Sequence, residues 1–195
     1  DYLVRTLSLP SQFGNISKAL VQQPNNENST STLEIYTLSY NLDKHLRTPS
    51  IALKNNLKTY LNQYKMIGDS ITIKDGYIIN IAVDFEIVTL PNYNNNEVLR
   101  SCLEALIQFF NIDNWQINQP IVLRDINVLL DEVTGVQTVK RVTITNKSGE
   151  ASGYSRYAYD IEGGTQNGVI YPSLDPSIFE VKYPNTDITG RVVNF

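Results

Sequence analysis

Asp84 and Glu86 lie two residues apart on one face of a run whose other face carries Tyr77, Ile79, Ile81, Val83, Phe85 and Ile87. Two carboxyls so placed could do general acid–base work, one holding a proton while the other stays ionised. The same pattern is also the wet side of a half-buried strand, and a glycosidase needs its pair across a cleft. The strand reading is the stronger. His45, the sole histidine, stands beside Arg47 with no second histidine or reactive cysteine near in sequence, and reads as a solvated side chain. Cys102, the sole cysteine, falls on the apolar stripe of a helical pattern and reads as a small buried thiol. Asp160, Glu162 and the Gly163-Gly164 pair suggest a calcium loop but lack the alternating oxygen ligands of one. Gly163 and Gly168 have the spacing of a phosphate loop, but Val169 and Ile170 stand where Lys and Ser or Thr are required. Gly153-Tyr154-Ser155 lacks the second glycine of a nucleophile elbow, because Tyr157 occupies its place. The sequence therefore predicts no catalytic, cofactor or metal site.

Composition narrows the classes further. The 195 residues can bury one good core, with room for a satellite unit. Charged residues make up 18%, and the net charge of −4 carries no block of like charges. A nucleic-acid partner needs clustered Lys and Arg, so none is expected. No apolar run is long enough to span a membrane. One cysteine excludes an intrachain disulfide. The sequence begins at Asp1 and its only methionine is Met66, so we expect part of a larger protein.

The elements that would position these residues follow from periodicity. Residues 1–9 read as a strand with Leu3, Leu7 and Leu9 on one face, followed by strands at 18–21 and 33–40 around a polar surface loop at 22–32. A helix follows, with Thr48 as cap, Pro49 at its first position, an apolar stripe of Leu53, Leu57, Tyr60, Leu61 and Tyr64, and Gly68 as its stop. Asp75-Gly76 predicts a tight hairpin between strands that begin near Ser70 and at Tyr77. Asn94 and Glu97 predict the start of a second helix with Leu99, Cys102, Leu103, Leu106 and Phe110 inward, and Trp115 and Ile117 pin its exit. A short helix through Ile126, Leu129, Leu130 and Val133 ends at Gly135, and a strand covers 136–146 with Val142 and Ile144 inward. The expected class is α+β: a small antiparallel sheet with helices on one face, preceded by a β-hairpin and followed by an extended, strand-poor arm. The expected divisions are 1–46 for the hairpin, 47–147 for the core domain and 148–195 for the arm. The arm holds six of the ten glycines and many tyrosines. Ordering backbone costs about 1–2 kcal/mol per residue, so such a segment is expected to lie along its own body, a sister chain or another partner.

The run NLKTYLNQYKMIGDSITIKDGYIINIAVDFEI, followed by NNNEVLRSCLEALIQFFNIDNWQINQPIVLRDINVLLDEVTGVQTV, resembles the baseplate J-like proteins of contractile phage tails. With YPSLDPSIFEVKYPNTDITGRVV at its end, the chain resembles the C-terminal part of the baseplate wedge proteins of T-even-type myoviruses. The resemblance covers nearly the whole chain. It implies a structural subunit of the virion tail baseplate, assembled in the host cytoplasm, without catalysis or cofactor. The implied partners are copies of itself, as a dimer or ring around the tail hub, and other wedge proteins. Tyr171, Leu174, Ile178, Phe179 and Tyr183 are the expected subunit-contact residues, because aromatic anchors dominate interfaces; capping the domain's own core is the competing use. Two other functions stay open: a β-rich module that binds glycans or a receptor through tyrosines of the arm, and a hydrolase built on Asp84 and Glu86.

Overall fold

A computed structural model describes residues 1–24 and 32–194. The loop expected at 22–32 lies outside them except at its ends. The chain divides into two compact units, residues 1–78 with 175–177, and residues 79–174 with 178–195.

The first unit opens with helix α1 (Tyr2–Leu7), where a strand was predicted. Leu3 and Leu7 fit a helical i,i+4 spacing as well as an alternation, and Arg5 interrupts the alternation. Arg5 pairs with Asp1 one turn earlier at 3.4 Å, and Thr6 Oγ1 donates to Tyr2 O at 2.8 Å. Leu3 and Leu7 are exposed, whereas Leu9 is buried. Strands β1 (Lys18–Gln22) and β2 (Thr32–Tyr40) form the expected antiparallel pair. The two-residue β3 (Leu46–Arg47) returns against the end of β2.

Helix α2 (Ile51–Asn62) starts two residues later than predicted. Ser50 is its cap and accepts from Leu53 N at 3.2 Å, leaving Thr48 and Pro49 outside. The helix ends with Gln63 as its C-cap; Gly68, at φ +99°, lies in the exposed connection beyond it. Leu57 and Leu61 go into a core with Leu9, Ile16, Ala19, Ile35 and Ile71. Each fully buried Leu or Ile side chain stabilises the fold by about 1.5–3 kcal/mol.

Strand β4 (Ser70–Asp75) lies parallel to β2, from Thr32↔Ser70 to Thr37↔Asp75. A parallel pair needs a crossover, and α2 supplies it. The predicted hairpin at Asp75-Gly76 therefore does not form. Gly76 lacks the positive φ that a two-residue hairpin turn demands. Its N–H donates instead to Thr37 O at 3.2 Å, continuing the ladder with β2. Lys54 holds the Asp75 carboxylate at 3.0 Å.

The second unit is organised on β5 (Tyr77–Thr89). From Ile81 to Ile87 the odd positions are buried and the even ones half-exposed, as the alternation predicts. Helix α3 (Asn95–Phe109) is capped by Asn94, whose side chain accepts from Asn96 N at 2.9 Å. Val98, Cys102 and Leu106 are its buried face. Trp115 stacks on Phe110 with ring centroids 5.6 Å apart and closes the exit. The short β6 (Ile121–Val122) leads into α4 (Leu123–Asp131), which buries Ile126 and Leu130. Gly135, at φ +98°, turns the chain where any β-carbon would strike Val98 and Tyr93.

Strand β7 (Val136–Lys147) runs antiparallel to β5. Helices α3 and α4 touch each other, α4 packs on β7, and α3 packs on the last strand. That strand comes from the C-terminal arm. After β8 (Thr165–Gln166) and β9 (Val169–Ile170), which make a small antiparallel sheet with β6, strand β10 (Ser177–Glu180) pairs with β5. A turn of helix, α5 (Pro184–Asp187), then delivers β11 (Ile188–Val192) parallel to β5, from Ile188↔Val83 to Val192↔Ile87. The α+β class is as expected, with a parallel pair added to each of the two larger sheets.

Candidate functional site

The predicted carboxylate pair lies on β5 between β7 and β11. Register places Thr189 beside Asp84 and Arg191 beside Glu86 on one flank, with Arg141 beside Glu86 on the other. Thr189 Oγ1 donates to Asp84 Oδ1 at 3.1 Å. Glu86 Oε1 accepts from Arg191 Nε at 3.0 Å and from Arg141 at 3.1 Å. The Arg191 hydrogen bond, aided by the charge of Arg141, holds the Glu86 carboxyl below its ordinary value. A carboxylate so held stays ionised, so it is a poor proton donor. The row Arg141, Glu86, Arg191 clasps three strands.

The other residues singled out for chemistry have structural partners. Cys102 is fully buried, and burial pushes its thiol up to about 11, away from the nucleophilic thiolate. His45 N donates to Asn41 Oδ1 at 2.9 Å within a tight loop. Asp160 Oδ1 accepts from Gly163 N at 3.0 Å, closing the turn that resembled a calcium loop. Among the described residues no three His, Cys, Asp or Glu side chains gather to hold a metal.

Asn80, which shares the even positions of β5 with Asp84 and Glu86, is buried at the centre of a polar network. Its Nδ2 donates to Glu180 Oε2 at 2.8 Å, and its Oδ1 accepts from Ser155 N at 2.7 Å. Asn146 Nδ2 donates to Asn80 O at 2.9 Å, and Asn146 Oδ1 accepts from Tyr159 N at 3.1 Å. Two amides, those of Asn80 and Asn146, thus tie β5, β7, β10 and the segment 155–159 together. A second knot holds the arm: Tyr154 OH donates to Asp187 Oδ1 at 2.6 Å, and Tyr183 N donates to Asp187 Oδ2 at 3.1 Å. The Asp187 hydrogen bond pushes the Tyr154 hydroxyl up to about 12.

The five residues expected at a subunit contact fall into two groups. Ile178 and Phe179 are buried within β10, in the chain's own sheet. Tyr171, Leu174 and Tyr183 are exposed; Leu174 has 106% of its reference area open to solvent. Tyr183 packs edge-on against Tyr154. Tyr171 and Leu174 line an open cleft of about 680 Å³ with Tyr159, Asp160 and Gly164. A second open cleft of about 590 Å³ meets it at Tyr159 and Asp160 and runs to β7.

The walls of both clefts are fixed by the hairpin β8–β9, whose turn residues Asn167 and Gly168 have φ of 51° and 77°. Asn-Gly between short strands is the strongest local hairpin signal, so this turn is legible in the sequence itself. Tyr159 OH donates to Tyr171 O; a side chain at Gly164 would collide with that hydroxyl.

No protein-family profile and no curated protein matches the sequence. The fold does have counterparts among solved structures. A chain in the six-fold symmetrised cryo-EM structure of the anti-feeding prophage baseplate matches with a TM-score of 0.50 over 82% of this chain, at 11% sequence identity. This chain spans 33% of that one's length. At that identity the likeness is one of fold.

Proposed function

We propose that this chain is a structural subunit of a contractile-tail baseplate, placed in the wedge, where it makes self-contacts and contacts other wedge proteins in a ring around the tail hub. The observation that carries the reading is the fold shared over 82% of the chain with a protein of the anti-feeding prophage baseplate. The sequence resemblance to baseplate wedge proteins points the same way. Its place would be the virion tail, with assembly in the host cytoplasm. The role of Glu86 as a three-strand clasp favours this reading over a hydrolase.

Tyr171 and Leu174 form the exposed part of the proposed self-contact, with Tyr183 beside them. Ile178 and Phe179 serve it from behind by holding β10 in the sheet. A closed ring needs either two different surfaces per subunit or alternating two-fold contacts. Sedimentation of the chain against concentration tests the self-contact. Association that weakens in a Tyr171→Ser, Leu174→Asp variant is the expected result. A chain that stays monomeric at every concentration would remove the self-contact from the proposal.

A further inference from the structure

Strand β7 carries a second candidate surface. Its pairing partner among the described residues is β5, on one edge only. The open cleft of about 590 Å³ is lined by five consecutive β7 residues, Val142 to Asn146. Successive side chains of a strand point to opposite faces, so a cavity on one face would meet every second residue. Contact with five in a row means that the cleft runs along the strand's outer edge.

The remaining lining is the segment Tyr159 to Glu162, together with Leu123, Thr165 and Ile170. Ile161 and Ile170 are buried, while Asp160 and Glu162 are exposed. The first part of the same edge is blocked: Asp131 Oδ1 accepts from Val139 N at 3.2 Å, and a bulge follows at Lys140, between the pairs Glu86↔Arg141 and Ile87↔Val139. Folds usually blunt an exposed strand edge. Here the blunting stops at the mouth of the groove.

We infer that this groove accepts an extended segment of a different polypeptide, added as a strand beside residues 142–146, with Lys or Arg side chains facing Asp160 and Glu162. Main-chain hydrogen bonds would supply affinity and the two carboxylates the selection for basic residues. A second copy of β7 is a poor occupant. Antiparallel self-pairing centred on Ile144 would set Arg141 of each copy opposite Lys147 of the other, and directly opposed like charges are destabilising. The inference adds a surface to the assembly reading; its failure would leave the contact at Tyr171 and Leu174 standing.

The test is a titration of isotope-labelled chain with a short blocked peptide of alternating Val and Lys, followed by amide shifts and amide exchange. Two control peptides are used: one N-methylated at alternate residues, which cannot pair as a strand, and one with Glu for Lys. The expected result is perturbation confined to residues 142–146 and 159–162, slowed exchange in β7, and neither effect with the controls. An Asp160→Asn, Glu162→Gln variant should bind the Val-Lys peptide about threefold to tenfold more weakly while keeping its own spectrum. No perturbation, equal binding of either control, or perturbation elsewhere would overturn the inference. Concentration-dependent broadening of the 142–146 amides without peptide would also overturn it, by showing self-pairing.

Discussion

The ring of Phe85 on β5 lies over the backbone of Gly190 on β11, in register, where a β-carbon at position 190 would collide with the ring. Phe85 is fully buried, so it cannot move aside without disturbing the sheet. Gly190→Ala should therefore destabilise the fold by about 1–3 kcal/mol through overpacking. Chemical denaturation of the two proteins measures it. An unchanged midpoint would mean that β11 is not docked on β5 in solution.

Glu86 predicts a pH dependence with a definite sign. Its folded value lies below the ordinary 4.5, so the unfolded chain takes up the proton first as pH falls. The contribution is fully present above the ordinary value and is lost as pH falls through the depressed folded one. Glu86→Gln should lower stability at neutral pH. Its deficit against the wild type should shrink as the solution is acidified below pH 4.5. Denaturation midpoints of both proteins across that window check the prediction.

Asn80→Ala should remove the acceptor of the Ser155 N–H and one of the hydrogen bonds to the Glu180 carboxylate. Each buried group left without its partner costs about 1–3 kcal/mol. The loss should be accompanied by faster amide exchange at Ser155, a local signature that global destabilisation alone would not place there.

The turn at Gly168 gives a contrasting case. Its φ is +77° and no atom lies near where a β-carbon would sit. Gly168→Ala should cost only the left-handed backbone penalty, about 1–2 kcal/mol. In a Gly164→Ala variant the added atom also meets the Tyr159 hydroxyl, so the amides of the clefts at Tyr159 and Tyr171 should shift more than they do in Gly168→Ala.

These pairs also explain what the sequence could and could not disclose. The alternation through Ile81, Val83, Phe85 and Ile87 was legible because one face of β5 is buried and the other is half-exposed. Asn94 and the stripe through Cys102 and Leu106 were legible because a helix cap and a helical period are local. Residues 1–9 are ambiguous in sequence because Leu3 and Leu7 satisfy both periods, and the chain there is helical. Asp75-Gly76 looked like a hairpin turn and is not one, since β4 takes its hydrogen bonds from β2, about forty positions away in register. Asn167-Gly168 carries the same kind of signal and is a turn, because two short strands flank it at once. The burial of Asn80 depends on Glu180 and Ser155, and the docking of β11 depends on Phe85. No local pattern records partners that distant. Tyr171, Leu174 and Tyr183, the exposed members of the expected contact set, follow from residue type alone. The same reasoning could not separate them from Ile178 and Phe179, which the chain's own sheet covers.

A baseplate role requires that this chain be built into a particle. Purified contractile-tailed particles that encode it can be digested for quantitative mass spectrometry and labelled with an antibody raised against the chain. The expected result is a fixed number of several copies per particle, with label at the tail end. Its absence from assembled particles, or turnover of a substrate that is lost in an Asp84→Asn variant, would contradict the account.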